Sequence, residues 1–400
     1  MNKQFSAALL LAGTAIGSGM ISLPLILAKF GILTSSLIML AFAGLTYITA
    51  LIRADLNLNS KADATLGEVG RLFGCKRIGM LGEFALQALS FALMSAYIFG
   101  GSSILHSFMK GILPLSSNTI TAIFAGLIFL IFLSMSETIV RLNKVLFTLM
   151  FVALILLVQV LLWRTPIHFI PNAWSNVSVN LKQWTIVVPI IFTSFGFQGS
   201  IHSVTKFAKN DREVVKRACL IGSLIPTLVY ILWTATVLIV VANTDNAFFQ
   251  LMLSDQVIEV GELVRTLSMA SSTKTLWLIV WLVSFLSLLT SVLGVGLALL
   301  EMLQRRLPLA KWQTAWMVVS IPAVVAMIAP NAFVRMLNIS GIILAIIAII
   351  VPTVILLKMQ KIDPHKTTFL SQNRAVYYTV LACGIAIILL GILDIIPSNT

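Results

Sequence analysis

Charge is scarce in this chain. Asp, Glu, Lys and Arg together make up 10% of its 400 residues, whereas a water-soluble domain carries roughly a quarter. Cysteine is scarce too. Cys75, Cys219 and Cys383 lie far apart and are odd in number, and no CxxC occurs, so neither a disulfide framework nor a cysteine-rich zinc site is indicated. The four histidines are scattered and form no HExxH. There is no GxSxG, no pair of acidic residues within an apolar run and no GxxxxGK(S/T) loop. These absences argue against a membrane-embedded hydrolase and exclude a nucleotide-driven pump. No cofactor or metal is expected, and no enzymatic activity.

What is abundant is apolar. Hydrophobic residues make up 59% of the chain and mean hydropathy is +1.02, values of a polytopic protein whose solvent is the lipid bilayer. The net charge of +13 is not a nucleic-acid signature, because the basic residues sit in short connections between apolar runs. One Lys before the first apolar run gives the outline of a secretory leader. No small-x-small cleavage site precedes a soluble region, so that run is read as the first span.

A spanning helix needs about 20 mostly apolar residues. Eleven such segments are expected, at about 6–28, 31–52, 79–109, 118–136, 144–163, 184–205, 218–242, 275–300, 313–330, 338–358 and 375–396. Placing the N-terminus in the cytoplasm puts 20 of the 27 basic residues on the cytoplasmic side; the positive-inside bias supports that orientation, and an odd number of spans puts the C-terminus outside. The largest outer connection, Asn243–Lys274, carries apolar residues at helical spacing (Val257, Val260, Leu263, Val264, Leu267). It reads as a lid over an outer vestibule or as an amphipathic connector. The inner connection Asp55–Arg77 is expected to be partly helical, with Leu66, Val69 and Leu72–Phe73 on one side.

The first span is interrupted at its centre by Gly13-Thr14-Ala15-Ile16-Gly17-Ser18-Gly19. Each glycine costs a helix interior roughly 1 kcal/mol relative to alanine, and broken backbone inside a membrane is tolerated only within protein or along a wet cavity. A face of small residues for close helix packing is the other reading. The sixth span repeats the pattern at Thr193-Ser194-Phe195-Gly196-Phe197-Gln198-Gly199-Ser200. Two interrupted spans, five apart and oppositely oriented, are what an inverted repeat requires. The expected fold is an all-α polytopic membrane protein of eleven transmembrane helices: one domain over 1–400, repeat halves at about 6–163 and 184–358, and an additional helix at 375–396.

A half-helix that begins near Gly17–Gly19 aims unpaired N–H groups and a positive dipole end at the break, which suits a carboxylate. Half-helices ending near Thr14–Ala15 and Thr193–Phe195 present unpaired carbonyls, which suit an ammonium or a cation. An amino acid carries both groups. Phe195 and Phe197 are candidates to stack on an aromatic ring. The third span carries a polar stripe, Glu83, Gln87, Ser90, Met94, Tyr97 and Gly101, on one helical face; a face with a carboxylate must turn away from lipid. Glu83 reads either as a proton-linked acid or inner gate, or as a helix-start carboxylate paired with Lys76 or Arg77. Gln87 and Tyr97 read as substrate-path residues or interhelical hydrogen-bonding groups. A channel would show a ring of charge or a carbonyl filter, and neither is visible. An alternating-access secondary transporter fits better.

Gly13-Thr-Ala-Ile-Gly-Ser-Gly-Met-Ile-Ser-Leu-Pro24 and Phe192-Thr-Ser-Phe-Gly-Phe-Gln-Gly-Ser200 resemble the bacterial aromatic amino acid permeases, the hydroxy/aromatic amino acid permease family. The resemblance covers nearly the whole chain. It implies the leucine-transporter-like fold with helices 1 and 6 broken, and proton symport of L-tyrosine, tryptophan or phenylalanine across the bacterial inner membrane. Two positions depart from the family pattern: Gln198 stands where a His is expected, and His202 where a Pro is expected. His202 either takes over the role of that histidine in substrate or proton handling or is an ordinary histidine near the cytoplasm. In such folds paired hydroxyls on helix 8 can complete a sodium site. Thr290 and Ser291 resemble that arrangement, which leaves a sodium-coupled transporter of other specificity as the alternative.

Overall fold

The computed structural model describes residues 3–17, 19–60, 64–110, 114–165, 171–174, 180–254, 256, 258–269, 274–329, 332–363, 366, 368–370 and 374–396. Ser18 of the first break lies outside the described residues. Every regular element among them is helical: α1 Lys3–Ala15, α2 Gly19–Leu27, α3 Gly31–Leu58, α4 Leu66–Leu72, α5 Lys76–Met109, α6 Ser117–Leu133, α7 Ser136–Arg164, α8 Pro171–Trp174 and α9 Leu181–Ser194. Then follow α10 Ile201–Phe207, α11 Arg212–Thr244, α12 Asn246–Leu253, α13 Val260–Met269, α14 Lys274–Arg306, α15 Lys311–Ile328, α16 Ala332–Ala345, α17 Val351–Ile362 and α18 Arg374–Ile395. Among the described residues nine helical segments are long and apolar enough to cross a membrane, and α6 is a shorter apolar helix. Leu37, Leu130, Val145, Leu228 and Ile385 point outward and are exposed. An apolar exterior on this scale is a lipid-facing surface, and the chain is a multi-pass membrane protein.

Both expected interruptions are present. α1 stops at Ala15 and α2 resumes at Gly19, with Ile16 N donating to Ala12 O and Met20 N to Gly17 O. α9 stops at Ser194, a 3-10 turn covers Gln198–Ser200, and α10 resumes at Ile201. The glycines at 17, 19, 196 and 199 lower the cost of leaving the helix, and Pro189 already removes one backbone donor from α9. A third irregularity was not legible: five residues of π-helix, Ile346–Ile350, join α16 to α17. Single π turns inside α-helices are frequent at functional sites.

The long helix α5 forms the central post, packed by α14, α16, α15, α4, α13 and α6. At one end of the bundle α13 lies across it. Val260, Leu263, Val264 and Leu267 are buried, and a Cβ on Gly261 would run into Ser107 Oγ and Ser103 O of α5. Ser103 Oγ donates to Glu259 Oε2 at 3.1 Å and accepts from Gly261 N at 3.3 Å. The segment is an amphipathic helix with its apolar side on the bundle, an arrangement common to both readings. At the opposite, basic end α4 is helical as expected, opened by a capping box between Thr65 and Glu68. Leu66, Val69 and Phe73 face inward, but Leu72 is 61% exposed: positions 66, 69 and 73 follow the helical period and 72 does not.

Candidate substrate site

Between the breaks and the basic end lies a cavity of about 1060 Å³. Its deep end is made of backbone: Thr14, Ala15, Ile16, Gly17 and Gly19 on one side, Thr193, Ser194 and Gly196 on the other. The two breaks are tied by a residue that sequence reasoning missed. Tyr230 of α11 is fully buried, and its hydroxyl donates to Ala15 O at 2.6 Å and Ser194 O at 2.9 Å. These are the last residues of α1 and α9. One phenol proton is thus shared between the carbonyl ends of two interrupted helices. The available signal was chemical: a tyrosine in mid-span must find a partner for its hydroxyl.

The glycines of the first break are close-approach positions. A Cβ on Gly19 would lie 2.7 Å from Ser194 Cβ and 2.9 Å from Tyr230 Oη. A Cβ on Gly17 would run into Ser291 Oγ of α14. Both glycines still border the cavity, so close packing does not seal them away from it.

Phe195 and Phe197 do not reach the cavity. Both are fully buried; the Phe195 ring meets Tyr230 edge to face at 5.3 Å, and Phe197 packs with Ala7, Leu11 and Ile201. At a helix end, successive residues diverge. Gly196 faces the cavity and the aromatic residues beside it face the core. The aromatic rings lining the cavity are Tyr97, Phe147 and Phe207. Asn143 also lines it, one turn before Phe147, with its Oδ1 buried and unpartnered.

Gln198 lines the cavity; its amide nitrogen donates to Thr49 Oγ1 at 3.3 Å and its oxygen is buried without a partner. His202 also lines it and is hydrogen-bonded to Gly199 O at 2.7 Å and Ser203 Oγ at 3.3 Å. The two are not on one helix, because the 3-10 turn ends between them. Thr290 and Ser291 line the α14 side. Thr290 Oγ1 donates back to Leu286 O, and Ser291 Oγ to Ser287 O at 2.8 Å. Among the described residues no group of three or more His, Cys, Asp or Glu side chains could hold a metal ion.

The polar stripe on α5 divides. Glu83, Ser90 and Tyr97 line the cavity, Met94 and Gly101 pack against Gly296 and Phe124, and Gln87, expected on the substrate path, does not line the cavity but accepts from Arg306. The partner of Glu83 is neither Lys76 nor Arg77. Arg306 at the end of α14 donates to Glu83 Oε2 at 2.8 Å and to Gln87 Oε1 at 3.2 Å, and Thr65 Oγ1 donates to Glu83 Oε1 at 2.8 Å. The helix-end pairing fails because the side chain points across the cavity mouth, where the last turn of α14 arrives.

Two interrupted membrane helices meeting over a cavity that leads to one end of the bundle form an arrangement suited to a permease. The chain belongs to the tryptophan/tyrosine permease family, whose sequence model matches residues 1–391. It is 29% identical to the tyrosine-specific transport system 1 of Haemophilus influenzae, over 90% of this chain and 89% of that one. It is 27% identical to glutamine transporter 2 of Aliivibrio fischeri, over 99% of both. It is 24% identical to the tryptophan-specific transport protein of Pseudomonas aeruginosa, over 86% and 83%.

Proposed function

We propose that this chain is a secondary active transporter that imports an aromatic amino acid, L-tyrosine first and tryptophan or phenylalanine next, by proton symport across a bacterial inner membrane. The observation that carries the reading is the convergence of the two breaks on one cavity, joined through Tyr230. The substrate carboxylate lies against the N–H groups that open α2 near Gly17–Gly19. Its ammonium shares Ala15 O and Ser194 O with the Tyr230 hydroxyl, since each carbonyl oxygen has a second lone pair. The ring lies among Tyr97 and Phe147. A phenol hydroxyl would donate to the unpartnered Asn143 oxygen; a polar group waiting in the site is what separates tyrosine from phenylalanine.

In this reading α1 with α2 is one interrupted span, α9 with α10 another, α16 with α17 a third, and α6 counts despite its length. The total is eleven, with a five-plus-five inverted repeat as in leucine-type transporters and α18 as the additional helix. The N-terminus is cytoplasmic and the C-terminus outside. The cavity then opens toward the cytoplasm while α13 closes the outer face. Glu83 and His202 are the groups proposed to handle the proton. A second reading, an amino acid carrier of other specificity, is favoured by the similarity to a glutamine transporter over nearly the whole chain; there the Asn143 oxygen would accept from a side-chain amide and Thr290 and Ser291 would serve a sodium ion.

Uptake of radiolabelled L-tyrosine into proteoliposomes decides between them, with tryptophan, phenylalanine and glutamine as competitors under imposed proton or sodium gradients. Accumulation driven by the proton gradient, with tyrosine outcompeting phenylalanine, is expected. Accumulation of glutamine, or only with sodium, selects the second reading.

A further inference from the structure

Arg53 is anomalous. It lies in the last turns of α3 and lines the cavity, yet the residue is buried, at 8% relative exposure. Its Nη2 donates to Ala64 O at 3.1 Å, and its Nη1 is buried with no hydrogen-bond partner. No carboxylate among the described residues answers it. The carboxylates of Glu137, Asp55, Glu213 and Glu83 are engaged by Arg141, Arg212, Arg217 and Arg306 instead. Asp55, two residues along and therefore on another face of α3, is held by Arg212 at 2.8 Å and by the Phe369 amide. A buried guanidinium without a counter-ion is costly. It presents a planar fork whose geometry matches a carboxylate.

The position is specific. Ala64, which Arg53 holds, precedes Thr65, whose hydroxyl binds Glu83 at the cavity rim. One turn back on α3, Thr49 binds Gln198 of the second break. Arg53 therefore stands between the breaks and the mouth. The charged residues lining the cavity are Arg53, Lys206, Arg305 and Arg306 against Glu83 and Glu301, an excess of positive charge that draws anions along the passage.

We propose that Arg53 forms a second carboxylate-binding site in this cavity, which holds the transported amino acid on its way between the breaks and the basic end. The inference rests on the amino acid transporter reading above. The site takes the carboxylate only, and acts at the face of the bundle toward which the cavity opens. The opposite face is served by the N–H groups of the first break and does not depend on Arg53.

The test measures half-saturating L-tyrosine for exchange separately at each face, in right-side-out and inside-out vesicles holding the full chain, with glutamine in parallel. Tyramine, which lacks the carboxylate, is the competitor. Arg53→Met is expected to raise the half-saturating concentration at the basic face by about tenfold or more. The opposite face should stay within about twofold and tyramine inhibition should not change. Arg53→Lys, which keeps the charge and loses the fork, falls between, and carries the test if Arg53→Met fails to reach the membrane. An unchanged basic face, or an equal loss at both faces, overturns the inference and leaves the transporter reading standing. A wild-type chain that exchanges neither amino acid overturns both. A chloride requirement at the basic face that disappears in Arg53→Met also overturns it, assigning the guanidinium to an inorganic anion.

Discussion

The two ends of the cavity are built from different materials. The deep end is backbone, glycine and one phenol: Gly17 and Gly19 packed against Ser291 and Ser194, with Tyr230 bridging Ala15 O and Ser194 O. The rim is long charged side chains: Arg306 reaching Glu83 and Gln87, Arg305 and Lys206 beside them. Close-packed backbone has one arrangement and transmits displacement. Exposed ionic side chains are screened and adapt their rotamers. The deep end is accordingly suited to recognition, and the rim to opening and closing. This asymmetry predicts large effects on stability and substrate binding from small changes at the breaks, and small effects on both from large changes at the mouth.

The largest effect is expected at Gly19. Valine there places a Cβ within 2.7 Å of Ser194 and 2.9 Å of Tyr230 Oη, where no side chain can give way without moving a break. Gly19→Val should remain inserted in the membrane and lose detectable L-tyrosine binding, measured by scintillation proximity on the purified chain. Normal binding would show that the deep end is looser than its packing implies. Next comes Tyr230→Phe, which keeps the ring against Phe195 and removes the shared proton. Two buried carbonyls lose their donor, at about 1–3 kcal/mol. The melting temperature in detergent should fall and the half-saturating substrate concentration should rise while membrane insertion is kept. A change in neither would mean that the breaks are held by something else.

The contrast also sets how much the chain reveals before it folds. Both breaks were legible because glycine and hydroxyl residues oppose helix locally, at Gly13–Gly19 and at Thr193–Ser200, whatever surrounds them. The helices α13 and α4 were legible from helical periodicity. Tyr230 was not, because its role depends on meeting Ala15, 215 positions away, and Ser194, 36 away. The partner of Glu83 was misassigned for the same reason: Arg306 is 223 positions distant, whereas Lys76 and Arg77 are neighbours in sequence. Phe195 and Phe197 looked like ring-stacking residues by type, but which way a side chain points at a helix end is set by the irregular turn. Asp394, at the end of α18, accepts from fully buried Asn338 at 2.8 Å, a pairing 56 positions apart. Local backbone preference is written in the residue types, and long-range pairing is not.

The smallest stability effect is expected at the rim, where it sharpens the comparison most. The side chains of Glu83 and Arg306 are 26% and 36% exposed, so solvent screens the pair and its net worth is about 1 kcal/mol or less. Glu83→Gln preserves the shape and an acceptor for Thr65, and should barely move the melting temperature. Transport separates the two roles that a carboxylate at this place can have. If Glu83 carries the coupled proton, Glu83→Gln keeps exchange of L-tyrosine between equal solutions and abolishes accumulation driven by a proton gradient, since exchange needs no net proton movement. That is the expected result. If exchange and driven uptake fall in the same proportion, and Arg306→Gln on the Glu83→Gln background adds nothing further, the pair is a latch on the mouth alone and the proton passes elsewhere, with His202 the next group to replace. Either outcome leaves recognition at the deep end untouched, so binding measured in parallel should stay within about twofold of wild type. A rim substitution that destroyed binding as thoroughly as Gly19→Val would break the division between the two ends.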